Sequence, residues 1–443
     1  MPEDVLVQRR TTKEVGKVEG NLILDDATIK AEQPGEVIHV SGITDCRDDC
    51  YIEAGLTTSE LRGRGGDIVV EGDLNAENSI KIKRGRLDVR GNLTTKKIEV
   101  DRRVEVLGDM AVDSARVGGS LNVRGNSKAT RVDVGGSFRA DSDAEVDEID
   151  VGGSVSVGGA TKSDSIDVGG TFRGEGPVEA KKIDVGGSVK IESEASVEDI
   201  DVGGSVKLSG GSARGRIRIG GTLKSSEPLE FGHIRVGGSV TIAGGKGEDI
   251  DVGGTFRSDG DLTFETIDVG GTVRIEGSAS GRSVEVGGTV RVRDDLELFE
   301  ELKVGGTADI GGKLTARTVR VGGKVEAEKV EAVEEIQTNT LRTRFGAIAQ
   351  RIELGRRGEA EGPLIARTVI IRDRCRVEDI YAEAVTLRRD SRARNVYAAR
   401  IDIESGCRIS GDVKYTDSLN AERDVSFASE PEKVEKLPEP PLM

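Results

Sequence analysis

Asp133, Asp150, Asp167, Asp184 and Asp201 recur at a fixed interval of 17 residues, and Asp251 and Asp268 repeat that spacing farther on. Carboxylates gathered at short range are hard oxygen ligands for a cation. With arginine or lysine beside them, they also suit acid–base work on an acidic polysaccharide. A second series lies six residues after positions of the same register: Arg139, Arg173, Lys190, Lys207, Lys224, Arg257, Arg274 and Arg291. It offers neutralisation, and Arg218 and Arg235 interrupt the acidic series, so the favoured reading is a solvated face of mixed charge. Ser120, Ser137, Ser154, Thr171, Ser188, Ser205, Thr222, Ser239, Thr255, Thr272, Thr289 and Thr307 form a hydroxyl series. Such a row suits either a polymer or ice surface or the satisfaction of backbone groups at a turn, and the turn role is expected.

The remaining chemistry is sparse. His39 and His233 have no serine or cysteine nucleophile placed beside them and read as surface residues. Cys46 and Cys50 have the spacing of a metal or redox pair, but two histidines cannot complete a zinc site, so they read as loop thiols. Cys375 and Cys407 lie two repeats apart, about 9 to 10 Å, beyond the ~7 Å reach of a disulfide, and read as packing residues. No phosphate-cradling Gly-x-x-x-x-Gly-Lys-Ser/Thr occurs. No catalytic, cofactor-binding or metal-binding residue is assigned, and the chain is expected not to be an enzyme.

The interval belongs to a longer unit. Residues 183–191, Ile-Asp-Val-Gly-Gly-Ser-Val-Lys-Ile, return almost unchanged at 200–208. The glycine pair of this unit begins at Gly118, Gly135, Gly152, Gly169, Gly186, Gly203, Gly220, Gly237, Gly253, Gly270, Gly287, Gly305 and Gly322. A fixed period of this kind marks supersecondary units that bury their apolar faces against their neighbours. One unit contains three apolar-polar-apolar triplets, at 178–180, 183–185 and 189–191. Each triplet is a short strand with one face inward, and three strands with sharp corners close one coil. The fold class follows: all-β, a single parallel β-solenoid of three-sided coils, about 17 residues each. The glycine pairs are assigned to the corner between the second and third strands, where positive φ would favour glycine. Pro177, Pro228 and Pro363 mark another corner.

Composition bounds what else fits. About 24 coils at ~4.8 Å give a rod on the order of 110 Å. Their inward positions need roughly 140 apolar residues, while 35% of the chain is hydrophobic, so the core takes nearly all of them. No run is long and apolar enough for a transmembrane segment, and the first residues are acidic rather than signal-like. A net charge of −16 disfavours nucleic acid, and few cysteines suit a reducing, cytoplasmic setting.

In chain order, residues 1–16 read as a flexible arm and 17–66 as irregular coils. Within the latter, 45–50 and 62–67 are extruded loops. Residues 67–325 are regular coils, and 326–420 are coils of another dialect. Residues 324–337 have high helix propensity, so a helical insertion is the alternative to continued coils there. Residues 421–443, rich in proline and charge, read as a disordered tail.

The units Val70-Glu-Gly-Asp-Leu74, Val89-Arg-Gly-Asn-Leu93 and Cys407-Arg-Ile-Ser-Gly-Asp-Val413 place Gly-Asp or Gly-Asn ahead of an apolar residue. In this they resemble the bactofilins, the polymer-forming cytoskeletal proteins of prokaryotes. The resemblance implies a right-handed triangular β-helix with disordered tails that assembles end to end without nucleotide. This chain is several times longer than an ordinary bactofilin core. A parallel solenoid also ends in strand edges and apolar cross-sections. The leading expectation is therefore a non-enzymatic scaffold that forms homopolymeric filaments. The stacking coils would contain Val18, Leu22, Leu24, Val396, Ile401, Ile403, Val413 and Leu419. Protein clients would be met through the tails, no cofactor or nucleic acid is expected, and contact with the cytoplasmic face of a membrane stays open. The alternatives are a carbohydrate-active β-helix enzyme and a monomeric rod-like adaptor or adhesin.

Overall fold

A computed structural model describes residues 3–441. The chain divides into two compact units, Met1–Glu227 and Pro228–Met443. Both are β-solenoids of parallel strands, and among the described residues there is no helix. It follows that no helix is long and apolar enough to cross a membrane.

In the first unit the repeat becomes a register. Ile149 pairs with Ile166, Ile166 with Ile183, and Ile183 with Ile200, each one coil along. Alternation decides which side chains enter the core. In Val178–Val185, Val178, Ala180, Ile183 and Val185 are buried while their neighbours face outward. Full burial of each branched residue is worth about 1.5–3 kcal/mol, so the ladders carry the stability of the stack. Large and small inward residues alternate within a strand: Phe138 precedes Ala140, and Phe172 precedes Gly174. A Cβ on Gly174 would meet the Val178 side chain at 2.8 Å, so the ring and the missing side chain share one layer. Not every inward slot is apolar, since Ser127, Thr161 and Ser163 are buried as well.

The second unit repeats this construction. An inward ladder runs from Ile250 through Ile267, Val284, Leu302, Val319 and Ile336 to Ile352, and on to Val369, Val385 and Ile401. Residues 324–337 continue the coils within Lys313–Ala327 and Lys329–Thr343. Burial of Val325, Val330 and Ile336 outweighs the local helix propensity of their glutamates and lysines.

Four boundaries differ from the sequence-based expectation. Of the expected arm at 1–16, residues 1 and 2 lie outside the described residues, and the rest is not an arm: Val5–Val7 pairs with Leu22–Leu24, and Thr12–Glu14 pairs with Thr28–Lys30. Val7 and Val15 are buried there, a driving force that the polar surroundings conceal. Residues 45–50 and 62–67 are not extruded loops but parts of Val37–Glu53 and Gly55–Val70. The tail also contains strands: Ser426–Phe427 pairs with Arg408–Ile409, and Glu432–Lys433 pairs with Lys414–Tyr415.

The glycine pairs occupy the expected corner for a different reason. None of the thirteen pairs has positive φ. Instead the corners stack backbone on backbone. The Gly187 N–H donates to the Gly170 carbonyl at 2.9 Å, and a Cβ on Gly186 would stand 2.5 Å from the Gly169 carbonyl oxygen. Positive φ falls to non-glycine residues toward the chain ends, at Arg10, Asp26, Asp48 and Arg84 and again at Arg357, Arg374 and Asp390. The corner therefore has two forms, a left-handed turn near the termini and a glycine bend without positive φ between them.

Candidate functional surfaces

The acidic row is real. Asp133, Asp150, Asp167, Asp184 and Asp201 are partners in successive registers on the outer side of the second strand. Arg116 pairs with Asp133 at 2.9 Å, Arg131 with Asp150 at 3.5 Å, and Lys182 with Asp184 at 2.9 Å. Among the described residues, Asp167 and Asp201 have no ion pair. The basic series does not neutralise this row as expected. Arg139 pairs with Asp141, Arg173 with Glu175 and Glu192, Lys190 with Glu192, and Arg257 with Asp259, all beyond the third strand. The reason is direction: alternation points the basic side chains outward from the third strand, toward the next corner. Among the described residues, no three His, Cys, Asp or Glu side chains converge as a metal-binding group.

The hydroxyl series forms a row at the start of the third strand, with Ser188 partnering Thr171 and Ser205. It does not serve the turn. The Ser188 N–H already donates to the Gly170 carbonyl at 3.2 Å, and among the described residues none of the twelve hydroxyls makes a protein hydrogen bond.

A third ladder escaped the sequence reading although its motif was in view. In the Gly-Asp and Gly-Asn steps, the side-chain oxygen accepts the main-chain N–H of the next coil. The Asp73 Oδ1 takes the Asn92 N–H at 2.7 Å, the Asn92 Oδ1 takes that of Asp109 at 2.8 Å, and the Asp109 Oδ1 takes that of Asn126 at 2.7 Å. These residues close the corner between coils, satisfying donors that a strand ladder leaves unpaired. The repeated Asp/Asn at one coil's interval was the signal that marks them.

In the second unit a groove follows the glycine corner beside Gly287, Gly305 and Gly322, ending at Glu353, Arg356 and Arg372. Its charges are mutually occupied. Lys303 pairs with Glu285 at 2.5 Å, and Arg320 with Glu301 at 2.8 Å. Burial pushes the Glu353 carboxyl up, but hydrogen bonds from Arg351 and Arg372 outweigh that and hold it below the usual carboxylate range.

Residues 351–400 carry twelve arginines, no lysine and eight acidic residues, within a chain of net charge −16. Arg376, Arg392 and Arg408 stand in one register on successive coils, all exposed. Arg376 approaches Glu359 at 3.6 Å; among the described residues, Arg392 and Arg408 have no ion pair.

The four thiols are free and buried. For Cys46 and Cys50 this corrects the loop assignment, because the strand containing them turns both into the core. The Cys50 neighbourhood and burial push the Cys46 thiol well above its ordinary value. Cys375 and Cys407 sit two coils apart with Ser391 between them. The Ser391 hydroxyl accepts from the Cys375 N–H at 3.2 Å and donates to the Arg372 carbonyl at 2.8 Å. His233 is half-exposed and faces Asp249 at 3.0 Å, and His39 is exposed.

Of the residues assigned to end-to-end stacking, Val18 and Leu419 lie in the end coils, while Leu22, Leu24, Val396, Ile401 and Ile403 do not. Leu22 and Leu24 lie beneath Val5–Val7; Val18 is 2% exposed in the first coil, within Lys17–Val18. Val396, Ile401, Ile403 and Val413 are equally covered, and only Leu419 is half-buried. The true terminal coils carry charge where the core should continue. Lys13 stands in register with buried Ile29. Lys433 stands in register with Tyr415, itself the partner of buried Ala398. Both lysines are exposed, Pro431 precedes the final strand, and the last two strands are two residues long. Short edge strands, proline and charge in the inward register are the devices that prevent edge-to-edge pairing.

Comparison with protein-family models, curated proteins and solved structures finds no match for this chain.

Proposed function

We propose that this chain is a non-enzymatic structural scaffold that assembles with copies of itself, as do the polymer-forming cytoskeletal proteins that its repeats resemble, but by a different contact. The observation that carries the reading is the use of the apolar residues. Most of them are spent on the inward ladders, with Phe299 and Val333 among the few left outside, and the outer faces carry rows such as Asp167, Asp184 and Asp201 repeated at one coil's spacing. Such faces suit repeated contact better than enclosure of a small substrate. Assembly through the terminal coils is resisted by Lys13, Pro431 and Lys433, so the sides of the solenoid are the favoured route. A cytoplasmic location, and clients met through the proline-rich C-terminal residues, belong to the same proposal. Sedimentation velocity and negative-stain microscopy of the full chain test it across protein and salt concentration. Assemblies that grow with concentration are expected. A single discrete species at every concentration and salt level overturns it.

A further inference from the structure

We propose that Arg376, Arg392 and Arg408 of one copy dock on Asp167, Asp184 and Asp201 of a second copy. The inference rests on the self-assembling reading above and names its contact surface. Three observations support it. First, each row sets like charges on neighbouring strands, which repel, with three arginines in succession on one face and five aspartates on the other. Basic rows also run along the third strand, but there Arg173, Lys190, Arg257, Arg274 and Arg291 are each paired with an acid of the same chain. Second, the members without an ion pair among the described residues, Arg392 and Arg408 on one side and Asp167 and Asp201 on the other, are complementary. Third, both rows cross parallel strands at the same step of about 4.8 Å, so the two faces can meet charge on charge without distorting either backbone. A guanidinium also matches a carboxylate with two parallel hydrogen bonds, which an ammonium cannot do. The total absence of lysine from residues 351–400 fits such a role.

The contact joins different surfaces of the two copies. Each bound copy therefore keeps one row free, and the assembly continues unless its rotation closes a ring.

The test uses three full-length proteins: wild type, R376E/R392E/R408E and D167K/D184K/D201K, each checked by thermal melting for an intact fold. Both variants are expected to need at least about tenfold more protein to assemble, and salt raised well past the point where the Debye length is about 3 Å should disperse the wild type. Mixing the two variants should restore assembly, because the first retains the aspartate row and the second the arginine row. Heparin binding serves as the polyanion control. Undiminished assembly of either folded variant overturns the inference and leaves the scaffold reading standing, as does arginine-dependent heparin binding without any effect on assembly. A wild type that never assembles overturns both.

Discussion

Gly186 stands so close over Gly169 that any Cβ would lie 2.5 Å from the carbonyl oxygen below it, although neither residue has positive φ. The obstacle is main chain, which no change of rotamer relieves. Gly186→Ala should therefore destabilise the stack by about 1–3 kcal/mol. Ser188→Ala, two residues away and with a hydroxyl that makes no protein hydrogen bond, should stay within about 0.5 kcal/mol. Thermal melting of the two variants separates close approach from simple turn preference, since equal effects would contradict the stacking account.

Charge at the terminal coils yields a second expectation. Replacing Lys13 and Lys433 together by valine extends the inward ladders over Ile29 and Tyr415 and removes two obstacles to edge pairing. The K13V/K433V protein should associate at lower concentration than wild type and should do so more strongly at high salt, where apolar contact persists and ion pairs weaken. Sedimentation velocity reads this directly, and an unchanged association constant would show that the lysines do not protect the ends.

Acid stability should depend on two carboxylates. Hydrogen bonds from Lys97 and then Lys81 hold the Glu99 carboxyl at about 2, and Glu353 is also held low between Arg351 and Arg372. Because both values are depressed in the fold, their stabilisation is complete above the ordinary carboxylate value of about 4.3 and is lost as pH falls through the lower folded values. Glu99→Gln should cost about 1 kcal/mol at neutral pH and almost nothing near pH 2. Glu353→Gln, at a more buried carboxyl, should cost about 1–3 kcal/mol. Denaturation midpoints measured from pH 7 down to pH 2 should converge for wild type and Glu99→Gln at the acid end.

Thiol chemistry gives an independent check on the core. Cys46, Cys50, Cys375 and Cys407 are buried, and burial raises the thiols of Cys375 and Cys407 as well as contributing at Cys46. A thiol-specific reagent should leave all four unmodified in the folded protein at neutral pH and titrate four groups after denaturation. Rapid labelling of Cys46 or Cys50 before unfolding would return residues 45–50 to the surface. Ser391→Ala should cost about 1–3 kcal/mol, since it strands the Cys375 N–H in the core.

The coils were legible because period and alternation act along the chain itself: Ile183, Val185, Val189 and Ile191 declare their inward faces by spacing alone. What the sequence hid was contact across coils. The glycine pair is explained by the carbonyl oxygen 17 residues earlier, and the Gly-Asp step by an N–H one coil later; neither partner is visible within the motif. The basic series misled for a similar reason. Arg139 and Arg173 share the interval of the aspartates, but strand alternation sends them to Asp141 and Glu175 instead. At the termini, Val7 and Val15 are too few to stand out among polar neighbours, although burial fixes them. The candidate surfaces were half legible: both charged rows could be counted, while which charges remain unpaired depends on contacts across coils that only the fold creates.

The register joining Ile149, Ile166, Ile183 and Ile200 makes this backbone a ruler graduated in whole coils. Removing one graduation keeps every inward residue over an inward residue and every glycine step over a glycine step. A residue lost within a strand turns the rest of that strand inside out, whereas a corner absorbs the difference, as in the coils of 16 and 18 residues from Ile234 to Ile250 and from Val284 to Leu302. Length can therefore change in this protein without change of cross-section, but only in jumps, and every row on its surface lengthens or shortens by one member with each jump.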